Sequence, residues 1–207
     1  MLDSDSGKVC ALHCGTAFAD TWPVQTVKRI RRDQTCLLVV DVQVKLLPTI
    51  NKHQNIVENT RRLVSGASLL RVPVLVTEQY RKGLGATAPK IATAIRNFAP
   101  MEKLAFSACR APGFSVALKA KNVPSVIMCG IEAHVCVLQT CLDLLDDGYN
   151  VFVVADAVSS RTAENRQLGL ERMRAAGATI VSTEMALFEL LEKAGSPEFK
   201  QIIALIK

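Results

Sequence analysis

The sequence predicts an α/β fold: a single-domain, doubly wound αβα sandwich of three layers around a mostly parallel sheet. Three observations carry that prediction. Short apolar runs at residues 36–40, 74–76 and 126–129 show no polar alternation, as strands covered on both faces require. Longer segments of helical period separate them, and alternation of that length builds parallel βαβ units. The runs, with a fourth at 150–155, give out at Asp41, Glu78, Gly130 and Asp156. The topology gathers those four on the rim at the carboxyl ends of the strands, where such sheets bind ligands. Taken singly, each is more often a turn or cap residue.

The chain has 207 residues, 49% of them hydrophobic, enough for one substantial core and short for two. Residues 1–33 have no clear period. They are read as an extension that packs on the domain or on a neighbouring subunit, with the folded domain spanning 34–207. After the first strand, Val57, Val64, Ala67 and Leu70 share one face of a helix over 55–71. Val72-Pro73 ends it, the 74–76 strand follows, and a Gly- and Pro-containing loop runs over 79–89. A helical turn near 90–97 leads to 102–107, an edge strand or a loop beside the sheet. A short helix at 115–121 precedes the 126–129 strand. A helix from about His134, a strand at 150–155, a helix at 163–176, a strand at 179–182 and helices at 184–193 and 198–207 complete the chain. The apolar Phe199, Ile202, Ile203, Leu205 and Ile206 of the last helix suit the core and a subunit interface equally.

Composition narrows the function. No apolar run approaches the ~18 residues that span a bilayer, and no N-terminal h-region marks a secretory signal. The expected compartment is the cytosol. A mitochondrial location is the alternative, although Asp3, Asp5 and Asp20 interrupt the acid-poor segment of a presequence. Seven cysteines at irregular spacing fit reduced thiols better than a disulfide framework. Cys10-x-x-x-Cys14 lacks the second pair a zinc site needs. Half of the formal +6 charge comes from Lys28, Arg29, Arg31 and Arg32 against Asp33. No nucleic-acid motif accompanies that run, so it is read as a solvated arm and no nucleic-acid or membrane partner is expected. Phosphate-binding glycine motifs and a G-x-S-x-G elbow are absent from the sequence, which disfavours nucleotide-binding and serine-hydrolase readings.

Chemistry concentrates in 123–151. An apolar strand turns at Gly130 into a helical pattern, placing Cys136 in the first helical turn, where outward-pointing N–H groups favour a thiolate. The alternative is a packed core cysteine.

Asp41 in VVDVQ, Lys103 in EKLAFSA and Cys136 in CGIEAHVC resemble the isochorismatase-like, or cysteine hydrolase, superfamily. The resemblance runs from about Thr35 to the C-terminus. TEQYRKGLG, CGIEAHVCVLQTCLDLLDDGYNVFVVADAVSSR and FKQIIALIK are most similar to eukaryotic isochorismatase domain-containing proteins. The resemblance implies an Asp41–Lys103–Cys136 triad. Cys136 would attack a carbonyl as a thiolate, Lys103 would lower the thiol pKa, and Asp41 would move the proton. It also implies a cis peptide at Ile131-Glu132 and an oxyanion site built from backbone at Ile131, Glu132 and Ala133 with Cys136. Gln43, Tyr80 and Phe106 are the substrate-binding candidates, with ordinary packing as their alternative; the 159–161 loop is a further one. Gln43 is also a candidate for fixing local backbone.

The resemblance implies homo-oligomers, a small-molecule substrate and no cofactor. The nicotinamidase Asp-x-His metal cluster has no counterpart between Asp41 and Lys103, where only His53 occurs, so no metal is expected. His134, two residues before Cys136, would not face it on a helix, and Cys141 reads as core. Hydrolysis of a small amide, imide or carbamoyl compound is the leading expectation. Vinyl-ether hydrolysis of the isochorismate type, using Asp41 without the thiol, a binding or scaffold role without turnover, and a redox-sensing thiol are the alternatives.

Overall fold

A computed structural model describes residues 27–207. Among these residues, six parallel strands form one sheet: β1 Thr35–Val40, β2 Val74–Gln79, β3 Met101–Lys103, β4 Ser125–Ile131, β5 Asn150–Ser159 and β6 Thr179–Val181. Their order is β3-β2-β1-β4-β5-β6. The chain therefore winds outward from β1 in one direction and from β4 in the other. The crevice above the β1–β4 junction is the point where such a sheet offers a ligand site.

Among the described residues, eight helices flank the sheet: α1 His53–Leu69, α2 Arg81–Leu84, α3 Pro89–Ala92, α4 Phe114–Lys119, α5 Leu138–Asp146, α6 Ala163–Ala175, α7 Thr183–Leu191 and α8 Phe199–Ile206. Strand side chains alternate between faces, and both faces are buried. Leu37, Val39, Ile127, Cys129, Phe152 and Val154 pack with Leu63 and Val64 of α1, Leu187 and Leu190 of α7, and Ile202 of α8. Cys36, Leu38, Val40, Val126, Met128 and Val153 pack on the other face with Phe114 of α4, Cys141 and Leu144 of α5, and Leu170 and Met173 of α6. This double cover is why the strands read as continuous apolar runs. In α8, Ile202 is fully buried, and Phe199, Leu205 and Ile206 lie against the core, so much of its apolar face serves the domain itself.

Three expectations need correction. The fourth predicted strand does not end at Asp156. Pairing between β4 and β5 jumps from Met128–Val153 to Gly130–Val158, so β5 bulges and resumes as far as Ser159. Asp156 lies exposed in that bulge, and its Oδ1 accepts Thr183 N at 2.7 Å and Thr183 Oγ1 at 2.9 Å. It secures the start of α7 and takes no place on the ligand rim. Cys136 does not occupy the first turn of a regular α-helix: Ala133–Val137 form a wider π-type turn, and α5 begins at Leu138. The basic segment is not wholly a solvated arm, because Ile30 is buried and its N–H donates to Glu189 Oε2 of α7 at 2.8 Å. Cys10, Cys14 and the rest of the extension up to residue 26 lie outside the described residues.

Gly130 lets β4 approach β1. It sits at φ +125°, and a Cβ there would lie 2.0 Å from the Val40 carbonyl oxygen, an overlap no side-chain motion relieves. Gly169 of α6 acts similarly under the Cys136 turn, where a Cβ would lie 2.8 Å from Ala133 O.

Candidate active site

β1 is followed by Asp41, whose backbone takes the left-handed conformation at φ +52°, one that aspartate tolerates better than most residues. Its side chain is fully buried and accepts two hydrogen bonds. Thr77 Oγ1 donates to Oδ1 at 2.8 Å, and the Lys103 ammonium donates to Oδ2 at 2.6 Å. Lys103 ends β3 at the sheet edge, beside Gln79 in register, and its long side chain crosses the end of β2 to reach Asp41. On the way the ammonium donates to Gln79 Oε1 at 2.7 Å and to the Phe106 carbonyl at 2.9 Å, with the Ala105 carbonyl at 3.3 Å. An ammonium has three donors, so protein acceptors satisfy all of them. This is how the fold holds a cation whose side chain has no solvent exposure, since a buried charge needs both a counter-charge and hydrogen bonds.

Cys136 comes from the opposite strand of the switch point, on the turn after β4. It is 6% exposed, and its thiol lies close enough to Asp41 and Lys103 for both to act on its ionisation. Three side chains separated widely in sequence therefore converge. Their ionisation differs from the sequence expectation. Burial, reinforced by the Asp41 carboxylate, pushes the Cys136 thiol up to about 12, while Lys103 pulls it down. The net effect favours the protonated thiol beside the Lys103–Asp41 salt bridge. Burial also raises the Asp41 carboxyl above its ordinary value against the opposing pull of Lys103, which makes it a stronger base than a solvated aspartate. Cys36, Cys109, Cys129 and Cys141 are likewise pushed up to about 12 by burial. What sets Cys136 apart is that a carboxylate and an ammonium act on it in opposite directions.

The surrounding residues have distinct jobs. Gln43 is fully buried and not placed to bind substrate. Both of its amide N–H groups are engaged, donating to the Gln79 and Gly85 carbonyls at 3.0 and 2.6 Å, and its Oε1 accepts Gln79 N at 2.7 Å. It clamps the exit of β1 to the end of β2. Tyr80 is 49% exposed and its ring lies over Gly83, where a Cβ would be 2.2 Å from Cε1. The Phe106 side chain is 53% exposed, and its contribution to the buried pair is its carbonyl. Glu78, on the predicted rim, is buried and holds the 79–89 loop by accepting Thr87 N and Oγ1 at 2.7 and 2.8 Å.

On the other side of the turn, Ile131 and Ala133 are buried, and the Ile131–Glu132 peptide is cis. Glu132 Oε2 accepts from Arg161 Nε at 3.0 Å, and His134 Nδ1 lies 2.9 Å from Ser160 Oγ. The 159–161 loop thus braces this turn. Among the described residues, no three His, Cys, Asp or Glu side chains gather as a metal site.

Sequence reasoning missed Thr77, Gln79 and Thr140. The first two alternate along β2 and so share a face, a signal present in TEQ once the strand is placed. Thr140 Oγ1 donates to the Cys136 carbonyl at 2.6 Å and accepts Ala108 N at 2.8 Å, tying the cysteine turn to the loop after Lys103.

Residues 35–185 match the family model of the isochorismatase domain. The chain is 46% identical over 186 residues to the secreted isochorismatase effector Isc1 of Phytophthora sojae, covering 86% of this chain and 87% of that protein. It is 40% identical over 180 residues to human isochorismatase domain-containing protein 2, covering 86% of each. Among solved structures, the MAR1 ribonuclease of Caenorhabditis elegans superposes with TM-score 0.83 at 41% identity, over 86% of this chain and 92% of that one. YcaC from Pseudomonas aeruginosa, with hexane-2,5-diol and covalent acrylamide, superposes with TM-score 0.82 at 25% identity, over 87% and 92%. On sequence and fold together, the chain belongs to the isochorismatase family.

Proposed function

We propose that this isochorismatase-family protein is a cysteine hydrolase of small amides, imides or carbamoyl compounds, with Asp41, Lys103 and Cys136 as its catalytic residues. The observation that carries the reading is the buried Lys103–Asp41 pair, 2.6 Å apart, with the Cys136 thiol against it. A packed core cysteine would have no use for two buried charges, each costly to desolvate.

In the proposed reaction Asp41 takes the thiol proton as Cys136 Sγ adds to the substrate carbonyl carbon, forming a C–S bond and an oxyanion. The ammonium of Lys103 offsets the charge passing from Asp41 to sulfur and then to oxygen. Backbone N–H groups near Ala133 and Cys136 are the proposed oxyanion donors. Collapse breaks the C–N bond, and the proton on Asp41 goes to the departing nitrogen. Water, activated by Asp41, then cleaves the thioester, releasing the acid and restoring the thiol. The covalent acrylamide of the Pseudomonas relative is compatible with a nucleophile on this scaffold. Assembly into homo-oligomers is part of the proposal.

One observation favours a second reading. Burial holds the Asp41 carboxyl above the ordinary range, which also suits an acid protonating a vinyl ether, with Cys136 a bystander. A screen of small amides and ureides, with an isochorismate-type vinyl ether, against wild type and Cys136→Ala separates the two: the thiol variant loses amide turnover under the first reading and keeps vinyl-ether turnover under the second.

A further inference from the structure

The Lys103 ammonium has three N–H donors and three close acceptors: Asp41 Oδ2 at 2.6 Å, Gln79 Oε1 at 2.7 Å and the Phe106 carbonyl at 2.9 Å. The ammonium is tetrahedral, so when two of these acceptors hold two donors the third direction is fixed. Of the three acceptors only Asp41 changes charge in the proposed reaction, becoming neutral as it takes the thiol proton. At that moment the strongest tether on the ammonium weakens, just when the cation must stay beside the new thiolate.

We infer that Gln79 is a positioning residue that keeps the Lys103 ammonium at the thiolate while Asp41 is protonated. The inference rests on the Asp41–Lys103–Cys136 reading and extends it to a residue outside that set. The position of Gln79 is itself fixed. Its N–H and carbonyl are both held by Gln43 at 2.7 and 3.0 Å, and its Nε2 donates to the Leu104 carbonyl at 2.7 Å. The side-chain oxygen is thereby aimed at Lys103 by contacts on both sides. A side-chain substitution leaves the main-chain clamp intact but leaves one N–H of a buried cation with only the more distant Ala105 carbonyl, at 3.3 Å, a poorer arrangement that proteins avoid. The cation relieves this by moving off the pair, which weakens its hold on sulfur.

The test is the rate of iodoacetamide alkylation at Cys136 at pH 8, read by peptide mass spectrometry, in wild type, Gln79→Met, Gln79→Leu and the control Lys103→Ala, with thermal melts to check folding. Alkylation of the partly exposed Cys109 serves as the internal reference. A positioning role predicts that both Gln79 variants melt cooperatively and that the Cys136 alkylation rate at pH 8 falls at least tenfold while that of Cys109 is unchanged. A wild-type Cys136 rate in the folded Gln79 variants, or failure of both to melt cooperatively, overturns the inference. A Cys136 alkylation rate that does not change in folded Lys103→Ala would instead remove the triad reading beneath it.

Discussion

Lys103 Nζ sits 2.6 Å from Asp41 Oδ2 with neither side chain exposed to solvent, although β3 and β1 are separated by a whole strand in the sheet. The lysine stem bridges that gap by crossing the end of β2. Removing either partner leaves an uncompensated charge in the interior. Asp41→Asn should therefore lower unfolding stability by about 3–5 kcal/mol, measured by urea denaturation.

The same substitution separates thiol reactivity from turnover. The Asp41 carboxylate raises the Cys136 thiol and Lys103 lowers it, so deleting the negative charge while keeping the positive one moves the midpoint below about 12. Asp41→Asn should speed iodoacetamide alkylation of Cys136 at pH 8 by at least tenfold while abolishing hydrolysis, because the proton acceptor is gone. Lys103→Ala should slow alkylation. Equal rates in all three proteins would mean that the thiol does not sense the pair.

Gly130 predicts a packing effect independent of chemistry. A methyl group there meets the Val40 carbonyl at 2.0 Å on a backbone at φ +125°. Gly130→Ala should cost about 3 kcal/mol or more through overlap and backbone strain, read as a loss of soluble protein or a lowered denaturation midpoint.

Gln43 supplies three hydrogen bonds to main-chain groups of the β2 end and the following loop. Gln43→Leu strands those groups, at about 1–3 kcal/mol for each one left buried without a partner. The expected result is a marked drop in melting temperature and a parallel loss of activity. A Gln43→Leu protein with normal stability and only a raised KM would restore it as a substrate-binding residue.

Much of the architecture was legible because parallel strands buried on both faces leave unbroken apolar runs, as at 36–40 and 126–129. Asp41, Lys103 and Cys136 were identified through motif resemblance, and their convergence follows from the strand order. Three things were not legible. The end of β5 depends on a bulge against β4, a non-local pairing that carries the strand past Asp156. The ionisation of Cys136 depends on burial and on a carboxylate 95 positions earlier in the sequence, both of which push the thiol up and neither of which a local argument from helix position contains. Gln79 went unnoticed because its importance arises from the β2–β3 register, which places it beside Lys103. Tyr80 and Phe106 sit near the buried pair, but the fold uses a ring over Gly83 in one case and a carbonyl in the other.

The central claim is that sulfur performs the chemistry. It is tested most directly by offering purified wild type and Cys136→Ala a panel of small amides and ureides and following release of the amine. Wild-type turnover that falls about a thousandfold or more in the folded variant is the predicted result. Full turnover of the same substrate by Cys136→Ala would contradict it.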